Sequence, residues 1–202
     1  MPVGFVVGNV IVGENSGQAN RGHIMYKLSF ISPTDADKPF DIDRRSGSLV
    51  VIKGLDREAC AEYRLEVRIL DTSSNPQSSA VVVKIEVLDV NDNAPKWKED
   101  PLQILVPEDS LVGATVWNFS VTDEDAGSNK EVRYGLVSQW PALENAAFAV
   151  DSLTGNLIVT SALDYEKTKE FTLVVKATDQ AANVSDRLST SLTVQVPLNA
   201  NV

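Results

Sequence analysis

The chain repeats itself. FDIDRRSGSLVVIKGLDREACAEYRLEVRILD (40–71) aligns without a gap to FAVDSLTGNLIVTSALDYEKTKEFTLVVKATD (148–179), an offset of 148 − 40 = 108. The matches include Phe40/Phe148, Asp43/Asp151, Gly47/Gly155, Leu49/Leu157, Leu55/Leu163, Asp56/Asp164, Glu58/Glu166 and Asp71/Asp179. This period is too long for a helical solenoid unit and fits a whole β-sandwich domain. A chain of 202 residues holds two such copies.

Inside each copy the apolar residues alternate with period two. YRLEVRIL (63–70), VVVKIEVL (81–88), FTLVVKAT (171–178) and SLTVQV (191–196) are half-buried strand patterns. Clusters of Gly, Asp, Asn, Ser and Pro break them at short intervals, which is the texture of an all-β sandwich. The stretch LDVNDNAPKW (88–97) falls between the copies, so the domains are drawn as 1–93 and 94–202.

The totals exclude several function classes. The formal charge of 18 − 28 = −10 disfavours nucleic acid, whose phosphates need Lys and Arg, and suits a chain that collects cations or stays soluble. One cysteine, Cys60, rules out an internal disulfide framework and a cysteine-rich zinc site. One histidine, His23, leaves little room for His-based catalysis. No apolar run approaches the roughly 20 residues that cross a bilayer, and no signal peptide is visible. No nucleophile–base pair emerges, so an enzyme is not expected.

The acidic residues fall at strand ends. Asp56 and Glu58 follow a strand pattern of the first copy, and Asp92 lies between the copies with Asn91 and Asn93. Asp123 and Asp125, in VTDEDAGSN, follow the first long strand of the second copy, and Asp179 ends another. Loops of a sandwich gather at its two ends, so these acids are expected to converge on the junction. Convergent carboxylates repel unless a cation lies among them, and hard oxygen ligands select calcium over zinc or copper. Taken singly, each pair is equally well an ordinary acidic turn.

DVNDNAP, LDRE, LDYE, DEDAGSN and ATD together resemble the cadherin extracellular repeat, over essentially the whole chain. The resemblance implies all-β architecture, two tandem seven-stranded Greek-key, immunoglobulin-like β-sandwiches with calcium (Ca2+) between them. It implies that Asp56, Glu58 and Asp92 hold ions nearer the first repeat. Asn91 and the Asn93 carbonyl would hold the outer ion with Asp123, Asp125, Asp179 and the Asn129 carbonyl. Asp125 would bridge toward a middle ion that the Val90 carbonyl also contacts. Asp89 is expected to be a turn residue and not a ligand.

The sequence also departs from that family. VPEDSLVGATV places Glu108 five residues before Gly113, where the family supplies a bridging glutamate. In the first copy the matching glycine is Gly4, and the matching glutamate position lies outside the sequence. Glu14 fails as a substitute, because it aligns with Asp123, and Ser16 with Asp125. The first repeat is therefore expected to lack its opening strand, and the junction to hold fewer or weaker ions than the three usual in that family. At the far end VQVPLNANV carries Pro197 and Ala200 where the linker pattern has Asp89 and Asp92. Glu108, Asp164 and Glu166 remain there as a weaker second set.

Trp97 reads as a core anchor, whereas the alternation in VWNFSV leaves Trp117 exposed as a candidate contact. Asn118-Phe119-Ser120 and Asn183-Val184-Ser185 are glycosylation sequons. The expected function is calcium-dependent cell–cell adhesion, in the extracellular part of a plasma-membrane protein anchored by a segment outside this sequence. Its partners would be other cadherin ectodomains, homophilic or heterophilic. The alternative is a receptor segment that binds a heterologous protein.

Overall fold

The computed structural model describes residues 4–9, 23–34, 38–74, 76–100 and 102–200. The chain divides into unit 1, Met1–Leu88, and unit 2, Asp89–Val202. Regular structure among the described residues is β-strand, joined by loops and short 3-10 turns such as Gly127–Asn129 and Val184–Asp186.

In unit 1, β1 (Val6–Asn9), β4 (Ser48–Val51) and β3 (Phe40–Ile42) form an antiparallel sheet in the order β1-β4-β3. β2 (Ile24–Ser32), β5 (Glu62–Asp71) and β6 (Ser78–Glu86) form the other, in the order β2-β5-β6. The inward positions of both sheets make one core of Tyr26, Phe40, Ile42, Leu49, Val51, Tyr63, Leu65 and Val67, with Cys60 packed at its edge. Alternation is the cause: in β5, Tyr63, Leu65 and Val67 are buried while Arg64 and Arg68 face water.

Unit 2 repeats this plan and adds to it. β10 (Thr115–Asn118), β14 (Asn156–Val159) and β13 (Phe148–Val150) match β1, β4 and β3. β12 (Val132–Trp140), β15 (Glu170–Asp179) and β16 (Ser189–Asn199) match β2, β5 and β6. The repeat extends to side-chain geometry. Phe40 meets Tyr63 edge-on at 5.2 Å, and Phe148 meets Phe171 edge-on at 5.3 Å. The additions are β7 (Lys96–Trp97), β8 (Leu102–Gln103), β9 (Val106–Pro107) and β11 (Val121–Thr122). β7 with β8 and β9 makes a broken opening strand, and β11 continues β10, so unit 2 is seven-stranded.

The opening strand explains a difference between the copies. β8 and β9 pair parallel with β16, at Leu102↔Val194 and Val106↔Leu198. They cover Leu192, Val194, Val196 and Leu198, which are 4% exposed or less. Strand pairing places Val81, Val83 and Ile85 of β6 at the positions of Leu192, Val194 and Val196. Among the described residues no strand precedes β1, and β6 pairs only with β5. Val81 is accordingly 42% exposed, and Val83 and Ile85 are only half-buried. Glu14 and Ser16, the weak counterparts of Asp123 and Asp125, lie outside the described residues.

Trp117 corrects the sequence expectation. It is half-buried against the unit 2 core, and not a free surface ring. The register of β10 on β14 slips between Thr115 and Trp117, so a bulge at Val116 shifts the in–out phase by one residue. Trp97 does anchor the core. Its ring lies 6.0 Å from Phe119 and 6.1 Å from Tyr134.

One turn is built identically twice. Asp43 Oδ1 accepts the N–H groups of Arg45 and Ser46, and Asp151 Oδ1 accepts those of Leu153 and Thr154. These bonds, led by Ser46 N–H and Thr154 N–H, hold both carboxyls below their ordinary range. Each carboxyl stabilises the fold above the unfolded-state value near 3.8 and ceases to do so as pH falls through the lower folded value. Each turn closes on a glycine in the left-handed region, Gly47 at φ 73° and Gly155 at φ 71°. A Cβ on Gly155 would also lie 2.6 Å from the Phe119 carbonyl oxygen.

Gly155→Ala is therefore expected to lower stability by on the order of 2–3 kcal/mol in denaturant unfolding. Gly54→Ala, where an added Cβ meets nothing within 4 Å, should stay within about 0.5 kcal/mol. In hydrogen exchange, β6 should show fewer protected amides than β16, and equal protection would contradict the open edge.

Candidate metal centre

Three acids of unit 2 are buried, Asp123 at 7%, Asp125 at 2% and Asp179 at 0% exposure. Each is positioned by a strand end. Asp123 follows β11, Asp125 lies two residues on, and Asp179 is the last residue of β15. None of the three is ion-paired among the described residues. N–H donors hold them instead. Asp123 Oδ1 accepts Asp125 N–H at 2.9 Å. Asp179 Oδ1 accepts Ala181 N–H at 3.0 Å, and its Oδ2 accepts Leu188 N–H at 2.7 Å.

The stretch after Leu88 supplies the rest. Asn91 Nδ2 donates to Asp179 Oδ2 at 2.9 Å and to the Asp186 carbonyl at 2.7 Å. Asn93 donates to Asp125 through Nδ2 at 2.8 Å and through its backbone N–H at 3.3 Å. These bonds make the stretch part of unit 2. Asp92 stays exposed, accepting Asn93 Nδ2 at 3.0 Å, and its N–H donates to the Val90 carbonyl.

Asp89 is not the simple turn residue expected. Its Oδ2 accepts Ala126 N–H at 3.1 Å and Asn129 Nδ2 at 2.8 Å, tying the 123–129 loop to the start of the unit. The sequence offered a signal for this, since Asp89 and Asn129 lie in the two motifs, DVNDNAP and DEDAGSN, that the fold brings together.

Asp123 Oδ2 and Asn91 Oδ1 are buried and have no hydrogen-bond partner among the described residues. Such atoms cost on the order of 1–3 kcal/mol each when left so. Burial, followed by the Asp125 and Asp179 charges, raises the Asp123 carboxyl above its ordinary range, although the Asp125 N–H opposes this. The set is uniformly oxygen: carboxylates, an asparagine amide oxygen and nearby carbonyls. That chemistry fits a hard divalent cation of the calcium type, which takes carboxylate and carbonyl oxygens together.

The other expected residues belong to two further turns. Asp56 and Glu58 share one turn of unit 1, in which Asp56 Oδ1 accepts Ala59 N–H at 3.1 Å and Glu58 pairs with Arg57. In unit 2, Glu108 Oε2 accepts Tyr165 N–H at 2.9 Å, which brings Glu108 to the Asp164–Glu166 turn. This second set precedes β15 whereas Asp179 ends it, so the two acidic sets occupy opposite ends of the unit. There Asp164 is paired to Lys167 at 2.8 Å, a cation already in place.

A tandem pair of β-sandwiches with an oxygen-lined, acidic end defines a class of modular repeat protein. The chain belongs to the cadherin family: the Cadherin domain matches residues 1–88 and 102–198. Protein dachsous of Drosophila melanogaster is 43% identical over 217 aligned residues, covering 98% of this chain and 6% of that protein. Cadherin EGF LAG seven-pass G-type receptor 2 of Mus musculus is 37% identical, covering 97% of this chain and 7% of that protein. The chain thus spans less than a tenth of the length of these relatives. Among solved structures, a protocadherin gammaB7 EC3-6 cis-dimer structure matches 98% of this chain and 47% of its own, with TM-score 0.81 and 28% identity. Mouse cadherin-23 EC22-24 matches 91% of this chain and 56% of its own, with TM-score 0.78 and 26% identity. The family is one of adhesion-type proteins and is not enzymatic. No helix among the described residues is long and apolar enough to cross a membrane.

Asp89→Ala removes the acceptor of two loop donors. It is expected to destabilise unit 2 by about 1–3 kcal/mol in denaturant unfolding and to speed exchange of the Ala126 amide.

Proposed function

We propose that these repeats form a calcium-dependent adhesion module of an extracellular ectodomain, anchored by a segment outside this chain. The observation that carries the reading is the pair of buried oxygens, Asp123 Oδ2 and Asn91 Oδ1, beside three buried carboxylates with no ion pair among the described residues. In this reading Asn91, the Asn93 and Asn129 carbonyls, Asp123, Asp125 and Asp179 hold one ion. Asp56, Glu58, Asp92 and the Val90 carbonyl complete the set from the other repeat and the linker. Calcium neutralises the cluster and restrains the linker, and partners are other cadherin ectodomains. Glu108, Asp164 and Glu166 form a second, weaker set, because Lys167 already satisfies Asp164.

The runner-up, a receptor segment for a heterologous protein, draws on one observation. Trp140 is 71% exposed, with Leu143 nearby in sequence at 44%. Alanine at Trp140, and not at Trp117, is the substitution that would weaken such binding.

Extracellular modules of this chemistry bind calcium at about 10⁻⁴–10⁻³ M. Millimolar calcium is therefore expected to raise the melting temperature by roughly 5 °C or more over excess chelator. Asp125→Ala should remove most of that shift. Calorimetric titration of the 202-residue chain should count fewer than three ions. An unchanged melting temperature would overturn the reading.

A further inference from the structure

The two sequons differ in what their amides do. Asn118 ends β10, and its Nδ2 donates to the Thr154 carbonyl and to Asn156 Oδ1, each at 2.8 Å. Both amide hydrogens are thus engaged, across the β10–β14 pair, and the next residue, Phe119, is in the core at 2% exposure. An N-linked sugar replaces one of those hydrogens with a bulky group and breaks one of these bonds.

Asn183 is exposed and precedes the 3-10 turn Val184–Asp186. Its Oδ1 accepts Ser185 N–H at 3.4 Å, and its Nδ2 has no hydrogen-bond partner among the described residues. The middle residue of the sequon, Val184, is 69% exposed, so the tripeptide stands on the surface. The Asn183 backbone φ and ψ of −90° and 119° are ordinary extended values. Replacing one Nδ2 hydrogen there costs no hydrogen bond and buries nothing.

We infer that Asn183 carries an N-linked oligosaccharide and that Asn118 does not. The inference rests on the extracellular reading, since the donor is a lipid-linked oligosaccharide diphosphate of the secretory pathway. In the transfer, Asn183 Nδ2 forms a bond to the anomeric carbon of the first sugar. The bond from that carbon to the lipid diphosphate oxygen breaks, the lipid diphosphate leaves with the electron pair, and Nδ2 loses one proton. The folded structure then tolerates the product at Asn183 and opposes it at Asn118. The sugar stands three residues from Asp186, whose carbonyl accepts Asn91 Nδ2, and so flanks the acidic end of unit 2.

The test is site mapping on the 202-residue chain secreted from animal cells behind a signal peptide. Peptide N-glycosidase in heavy-oxygen water converts each glycosylated asparagine to a labelled aspartate, read by mass spectrometry. The expected result is label at Asn183 and none at Asn118. Asn183→Gln and Ser185→Ala should each abolish the gel shift, and Asn118→Gln should leave it. Ser185→Ala keeps the Asn183 side chain in case Asn183→Gln is not secreted. Unlabelled Asn183 in secreted protein, or label at Asn118, overturns the inference. The calcium-dependent melting shift of the same protein separates that outcome from failure of the adhesion reading.

Discussion

Repulsion among Asp123, Asp125 and Asp179 governs one end of unit 2. Burying three carboxylates side by side is unfavourable twice, through lost hydration and through like charge. The surrounding fold is arranged to offset this. Backbone N–H groups of Asp125, Ala181 and Leu188 face the carboxylates, and Asn91 and Asn93 add side-chain amides. Amides reduce the cost without removing the charge. A net negative cluster, with Asp123 Oδ2 and Asn91 Oδ1 still to be satisfied, is what remains, and the linker is drawn into unit 2 by the same bonds.

The two copies serve as controls for one another. Their turns and edge-on aromatic pairs coincide, and their strand registers do so apart from the place of one bulge, between Phe30 and Ser32 in β2 and between Leu136 and Ser138 in β12, so the differences stand out. The chief difference is at β6 and β16, which have the same inward pattern of apolar residues and different cover. Burial of a strand's face is thus decided by its neighbour as much as by its own sequence, which is why β-propensity travels poorly between contexts.

Much of this was legible in the sequence. The period of 108 and four of the strand patterns follow from gapless alignment and from alternation, and Asp123, Asp125 and Asp179 stand out by their places at strand ends. Trp117 was misread because alternation assumes an unbroken pleat, and the bulge at Val116 carries no signal in residue type. Asp89 was misread because an aspartate that starts a turn and one that ties down a distant loop look alike until Asn129 is brought beside it. The exposure of Trp140 was likewise invisible, since it depends on where β12 ends and what fails to cover it. Local periodicity reaches neighbours along a strand, and these three features depend on contacts across the fold.

The parallel pairing of β8 and β9 with β16 also sets an order in time. Leu102 meets Val194 across 194 − 102 = 92 residues, whereas the widest pairing in unit 1 among the described residues, Ile24 with Asp71, spans 71 − 24 = 47. During synthesis at about 5–20 residues per second, LQILVP must wait roughly 5–20 s before its partner strand leaves the ribosome. For that interval it is an apolar, strand-prone segment with nothing to pair with. The second repeat closes last at the place where it began, and the need for protection on the ribosome falls on its opening strand.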